Sequence, residues 1–174
     1  WTITDFIENS TMNPDVSAFL WQAIQYELNM IVAGGTSSGK TALLNTLMPF
    51  IQPTHRIISI EDTRELQLPD FLHWVPLTTR LPNPEGKGEI SMLDLMINSL
   101  RMRPDRIIVG EIRRSEQAEV LFEAMHTGHS VYATLHADTA DQVLRRMTNP
   151  PKNIPEVLLD ALHLDAVVYR DRRR

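Results

Sequence analysis

The sequence has 174 residues, 43% of them hydrophobic and 22% charged, with no cysteine and a net charge of −5. That is enough chain for one well-buried core; it excludes disulfides and thiolate metal sites, and it disfavours a broad electrostatic grip on nucleic acid. No apolar run approaches the ~20 residues that a membrane-spanning helix needs. The chain opens on Trp1 rather than Met, which reads as a fragment or a processed protein. Residues 1–12 are weakly patterned, a linker or the remnant of an upstream domain, and residues 13–174 read as one domain. Asn13-Pro14-Asp15 is a helix start, with an N-cap, proline at the first helical position and an acid in the first turn. Val16, Phe19, Leu20, Ala23 and Ile24 then predict an apolar face packed on the core.

Asn29 to Ala33 is an apolar run of strand length, and Ala42, Leu43, Leu44 and Leu47 continue at helical spacing until Pro49. Between them lies Gly34-Gly35-Thr36-Ser37-Ser38-Gly39-Lys40-Thr41, a complete Gly-x-x-x-x-Gly-Lys-Ser/Thr match between strand and helix. A loop that wraps a polyphosphate must aim backbone N–H groups inward, and glycine at Gly34 and Gly39 permits the tight turn and close approach. Lys40 then brings a mobile charge to the outer phosphates, and the Thr41 hydroxyl is placed to join a Mg2+ shell.

Arg56 to Ile60 is a second buried strand, delivering Glu61-Asp62-Thr63-Arg64-Glu65 at its carboxyl end, where ligands gather in open α/β sheets. Trp74 to Leu77 predicts an edge strand because Pro76 lacks a ladder donor. Pro82 to Gly88 reads as the least structured stretch, a mobile loop. Ser91 and Asp94 predict a capping box, with Leu93, Met96, Ile97 and Leu100 as the stripe of a helix that Pro104 ends. Arg106 to Val109 is a third buried strand, leading into Gly110-Glu111-Ile112-Arg113. Ser115 opens a helix striped by Ala118, Leu121, Phe122 and Met125 and closed by Gly128. Ser130 to Leu135 is a further strand leading into His136. A helix through Ala140, Val143, Leu144 and Met147, another from Pro155 to Leu162, and a strand from Ala166 to Tyr169 complete the pattern. Alternating strands and helices imply an α/β fold, a mainly parallel sheet with helices on both faces. Arg172-Arg173-Arg174 reads as a solvated basic end.

Turnover at a phosphate loop needs a carboxylate to position water and a cation to offset charge growing on the γ-phosphate. Glu111 stands where a Walker B group belongs, but Gly110 precedes it where many such enzymes carry a Mg2+ aspartate, so contact with Mg2+ through water is expected. Glu61 and Asp62 make a second acidic strand end. His126, His129 and His136 invite a zinc reading, yet cysteine is absent and Asp138 has no recognised ligand spacing. His136, at a strand end, suits a sensor that hydrogen-bonds the triphosphate. Arg64, Arg80, Arg101, Arg103 and Arg113 are either surface ion pairs or, for one or two, fingers reaching a phosphate across a subunit boundary.

Gly34 to Thr41, Ile60 to Glu65, Arg106 to Arg113, Thr127-Gly128-His129 and Leu135-His136-Ala137, in that order, resemble the type II/type IV secretion and pilus or archaellum assembly ATPases. In that family's terms these segments look like the Walker A motif, the Asp box, a Walker B motif with its usual glycine, and the His box. Thr36-Ser37-Ser38 and the Glu-Asp-Thr-Arg-Glu form look most like archaeal members, with conjugation-type ATPases close by. The resemblance implies a RecA-like P-loop core that binds ATP and Mg2+ and hydrolyses ATP. In it Glu111, Glu61, Lys40, His136 and Arg113 are catalytic, and Thr41 and Glu111 handle the metal. It further implies a homo-hexamer on the cytoplasmic face of an inner-membrane platform protein, and the acidic net charge leads to the expectation of no nucleic-acid partner. A scaffold that binds nucleotide without hydrolysing it is the alternative.

Overall fold

The structure, a computed structural model, describes residues 1–170. The basic end at Arg172-Arg173-Arg174 lies outside the described residues. Six strands form one sheet: β1 (Met30–Gly34), β2 (Arg56–Glu61), β3 (His73–Thr78), β4 (Arg106–Val109), β5 (Ser130–Leu135) and β6 (Leu164–Val168). Their order is β3-β2-β4-β5-β1-β6, and every pairing is parallel. The helices are α1 (Ile3–Glu8), α2 (Pro14–Gln25), α3 (Lys40–Leu47), α4 (Met92–Ser99), α5 (Ser115–His126), α6 (Ala140–Thr148) and α7 (Glu156–Leu159).

The central strands are apolar on both faces because each face carries helices. Along β1, Met30 and Val32 join Leu20, Ile24, Leu43 and Leu44 in one core, while Ile31 and Ala33 join Phe122, Val143 and Met147 in the other. Period-two alternation divides each buried strand between the two cores. Burying a leucine, isoleucine or phenylalanine side chain contributes roughly 1.5–3 kcal/mol, so the two cores hold the sheet far more firmly than the surface ion pairs do. Pro76 lies in β3, the edge strand, as expected.

Buried Arg106 fixes the amino end of the sheet. Its guanidinium donates to Ser130 Oγ (2.8 Å), Tyr132 Oη (2.9 Å), the Ile24 carbonyl (3.0 Å) and His55 Nδ1 (3.2 Å), tying α2 to β4 and β5. Phe6 of α1 is buried in the core beneath α2.

Several local expectations need correction. On α2 the buried positions are Ser17, Leu20, Ala23 and Ile24, while Val16 and Phe19 are about half exposed. On α4 they are Met92, Met96 and Ser99, with Ile97 outward. In both helices a serine sits inside because its hydroxyl bonds a preceding carbonyl, so the buried face is rotated from the purely apolar one. The segment Pro82 to Gly88 is a loop without helix or strand, as expected, and it carries a turn in which Asn83 Oδ1 accepts the Glu85 and Lys87 N–H groups while Arg80 pairs with Ile90. The helix expected from Pro155 to Leu162 is one turn, Glu156–Leu159; Ala161 and Leu162 close tighter bonds to Leu158 and Leu159 before Leu164 turns into β6.

Asp165 of β6 has a carboxyl oxygen, Oδ1, that is buried without a hydrogen-bond partner, and burial pushes its pKa up to about 6. A carboxyl whose folded pKa is raised stabilises fully below the unfolded value of about 3.9 and loses that contribution as pH rises through about 6. Asp165→Asn therefore gains stability over the parent at pH 7.5 and gains much less at pH 4.5, measured as the urea midpoint; an equal gain at both would contradict this.

Candidate nucleotide site

β1 ends at Gly34, the loop follows, and Lys40 opens α3. Gly39 caps that helix with φ of 102°, a left-handed backbone suited to glycine, and Ser37 is left-handed too at 58°. The first N–H groups of α3 have no intrahelical acceptor and present partial positive charge at the loop. Lys40 Nζ curls back to the Gly34 and Gly35 carbonyls, both at 2.9 Å.

The loop forms one wall of a cleft of about 710 Å3 whose opposite lining includes Glu61, Asp62, Glu65, Glu111, Arg113 and His136. Parallel pairing brings these groups together, since β2, β4 and β5 all end on the same side as β1. Each catalytic and metal-site residue expected from the sequence, Lys40, Thr41, Glu61, Glu111, Arg113 and His136, lines this cleft.

Glu61, the last residue of β2, is 3% exposed. Its Oε1 accepts the N–H groups of Glu65 (3.0 Å) and Leu66 (3.1 Å), which folds the Asp62 to Glu65 turn over the strand end, and its Oε2 is buried with no partner. Gly110 explains itself beside this residue. Its N–H bonds the Ile60 carbonyl at 2.8 Å, and a Cβ there would stand 3.3–3.4 Å from Glu61 atoms. Glu61 crowds the place where a side chain at 110 would start, so β2 carries a carboxylate beside the position where β4 is followed by glycine.

Glu111 is held by Arg113, whose Nε and Nη2 reach Glu111 Oε2 at 2.8 and 2.7 Å while Nη1 reaches Asp62 Oδ2 at 3.2 Å. Hydrogen bonding and charge from Glu111, with Asp62 adding, raise the guanidinium pKa above the usual arginine range. His136 Nε2 lies 3.3 Å from Thr36 Oγ1, and the Thr134 hydroxyl bonds the Gly110 carbonyl, locking the ends of β4 and β5 together.

The remaining histidines point elsewhere. His126 bonds the Leu158 carbonyl, and His129 bonds Thr127 and the Ala124 carbonyl, so the three do not converge. Among the described residues, no group of three His, Cys, Asp or Glu side chains is arranged to hold a metal by itself. Arg64 stacks over Trp74 at 4.6 Å and Arg80 bonds the Gly88 carbonyl. Arg101 and Arg103 precede β4, at the sheet end opposite the loop.

Three contacts escaped sequence reasoning. Glu65 Oε2 accepts the Thr41 hydroxyl at 2.8 Å, which adds a third glutamate to the cleft, at the loop threonine. The helix α5 opens at Ser115 as expected, and Gln117 Oε1 caps it by accepting the Arg113 and Arg114 N–H groups. Lys152, 7% exposed, donates to the Arg113 carbonyl at 3.0 Å. Burial lowers its pKa, Arg146 lowers it further and Glu116 opposes them. Glu65 was visible as part of an acidic run; nothing in local spacing marks Lys152.

The residues fit a polyphosphate with its cation. Ser38 Oγ and Glu61 Oε2 are buried without partners, and a Cβ at Gly34 would collide with Ser38 Oγ and the Val168 carbonyl. The donor set is a lysine with helix N–H groups; Glu65 accepts the Thr41 hydroxyl, and Glu61 and Glu111 line the same cleft. Together the sheet and the loop define a RecA-like P-loop nucleotide-binding core.

The chain belongs to the type II/IV secretion system protein family, whose model matches residues 2–156. It is 42% identical over 160 residues to an uncharacterised protein of the archaeon Methanocaldococcus jannaschii, covering 92% of this chain and 58% of that one. The fold is similar to the VirB11 ATPase from the Brucella suis type IV secretion system, solved with sulphate, with TM-score 0.76, 30% identity and coverage of 95% and 49%. It is also similar to the pilus retraction motor PilT, solved with bound ADP, with TM-score 0.68, 28% identity and coverage of 86% and 42%. The chain thus spans about half the length of these relatives.

Glu61→Ala leaves the buried Leu66 N–H and the part-buried Glu65 N–H without an acceptor and should cost about 1–3 kcal/mol of unfolding free energy. Glu61→Gln keeps a carbonyl in place and should cost much less. Equal losses for the two in urea unfolding would remove the capping role.

Proposed function

We propose that this chain is the Mg-ATP-hydrolysing motor domain of a secretion or type IV pilus-type assembly ATPase. One observation carries the reading: an intact phosphate loop faces two carboxylate-bearing strand ends, Glu61 and Glu111, across one cleft. Lys40 exchanges its two carbonyl contacts for the outer phosphate oxygens, with the loop N–H groups around them. The Thr41 hydroxyl and Glu111, the latter through water, would hold Mg2+. The bound ion supplies positive charge against the phosphate oxygens. Glu111 accepts the proton of the attacking water, Glu61 keeps the strand end and its unpaired oxygen at the cleft wall, and His136 reads the γ-phosphate beside Thr36.

The half-length match to the relatives supports a division of labour in which the rest of the protein completes the machine. On this reading the domain works in a homo-hexamer, bound peripherally to an inner-membrane platform protein on the cytoplasmic side. It has no nucleic-acid partner. Among the described residues, no helix is long and apolar enough to cross a membrane.

Arg113 favours a second reading. Two guanidinium nitrogens converge on Glu111 Oε2 and occupy that oxygen, an arrangement a nucleotide-dependent scaffold without turnover would have. Variants separate the two. Lys40→Ala should weaken Mg-ATP binding roughly ten- to hundredfold, the worth of charged hydrogen bonds; full ATPase activity in that variant would sink the assignment. Glu111→Gln should still bind ATP while phosphate release falls about 100-fold or more, the usual contribution of a general base. Unchanged turnover would move the role to Glu61, and ATP binding without phosphate release by the parent chain in its assembled ring would establish the scaffold.

A further inference from the structure

Strand order fixes how a nucleotide can lie across the loop. Glu61, Glu111 and His136 follow from β2, β4 and β5, which all lie on one side of β1 in the sheet. The hydrolytic groups therefore crowd one flank of the loop. The terminal phosphate must sit on that flank, and the sugar and base must leave by the other.

On the other flank β1 pairs with β6, Gly34 opposite Val168, so the chain emerging from β6 passes directly beside the loop. There a separate cavity of about 770 Å3 is lined by Gly35, Thr36, Ser38, Asp138, Tyr169 and Arg170. It shares loop residues with the phosphate cleft and has ample room for a nucleoside. Tyr169 is 82% exposed, and its ring pairs with no other aromatic among the described residues. Exposed aromatics are common singly, but this one lines the cavity that the strand order leaves for the base. The Asp138 carboxylate stands close to Gly35, with Oδ1 3.1 Å from where a Cβ would be, beside the loop's first turn.

Resting on the nucleotide reading above, we propose that Tyr169 is the platform on which the purine base of the bound nucleotide stacks, with Asp138 accepting a ribose hydroxyl. A purine presents a larger π-face than a pyrimidine, and stacking does not read base edges, so the contact holds ATP and GTP alike. Its energy comes from the base, and it is independent of the phosphate contacts.

The test compares binding of Mg-ATP, Mg-GTP and Mg-tripolyphosphate by titration calorimetry to the parent, Tyr169→Ala, Tyr169→Phe and Tyr169→Trp. Tyr169→Ala should weaken both nucleotides by about tenfold, with tripolyphosphate unchanged, and the Phe and Trp variants should stay within about twofold of the parent. Unchanged nucleotide affinity in Tyr169→Ala would overturn the subsite while leaving the functional reading intact. An equal loss for nucleotides and tripolyphosphate would also overturn it, because the loop rather than the base contact would have been disturbed. A parent that binds none of the three overturns the functional reading and this inference with it.

Discussion

Parallel pairing is the constraint on which the rest of this structure depends. With β2, β4, β5 and β1 hydrogen-bonded in one direction and fixed register, every residue just past a strand's carboxyl end comes to the same edge of the sheet. Crossover helices cover both faces, which forces the strands to be apolar throughout and leaves polar chemistry only at their ends. Buried Arg106 fixes the opposite edge with hydrogen bonds to α2 and β5, so the strand ends are held from below. The cleft is thus a consequence of topology, and its contents are set by which residue each strand happens to end on.

Two local exchanges then shape the site. Glu61 and Gly110 are neighbours across β2 and β4, and the larger side chain occupies the space that the smaller leaves. Arg113 spans the same two strand ends electrostatically, pairing with Glu111 and Asp62. Lys152 and Gln117 hold the backbone of that arginine from behind. The acidic ends of β2 and β4 are therefore one connected unit, and the position of the Glu111 carboxylate depends on Arg113. A phosphate that draws Arg113 away, or a cation that replaces it on the carboxylate, would release Glu111 toward the cleft, so the same contact that argues for a scaffold can serve as a gate in a hydrolase.

Much of this was legible before any coordinates. The phosphate loop, the strand ends at Glu61 and Glu111, and the placement of His136 follow from motifs whose flanks carry strand and helix periodicity, and strong local signals of that kind survive tertiary context. What was lost concerns partners across the sheet. The pairing of Thr41 with Glu65, the Arg113 bridge and the Lys152 contact join residues 24 to 51 positions apart, and they depend on a strand order that spacing alone does not reveal. The rotated faces of α2 and α4 were misread for a smaller reason. Ser17 and Ser99 satisfy their hydroxyls on nearby helix carbonyls and can be buried, so the apolar pattern pointed one position away from the true seam.

The central claim is that the cleft hydrolyses Mg-ATP and gains its full rate from a neighbouring copy or from the remainder of the protein. Phosphate release per molecule, followed against protein concentration at saturating Mg-ATP for this chain and for the longer protein, tests it most directly. The account predicts a specific rate that climbs with concentration for at least one of the two. A flat absence of phosphate release from both, at concentrations where Mg-ATP is bound, would contradict it.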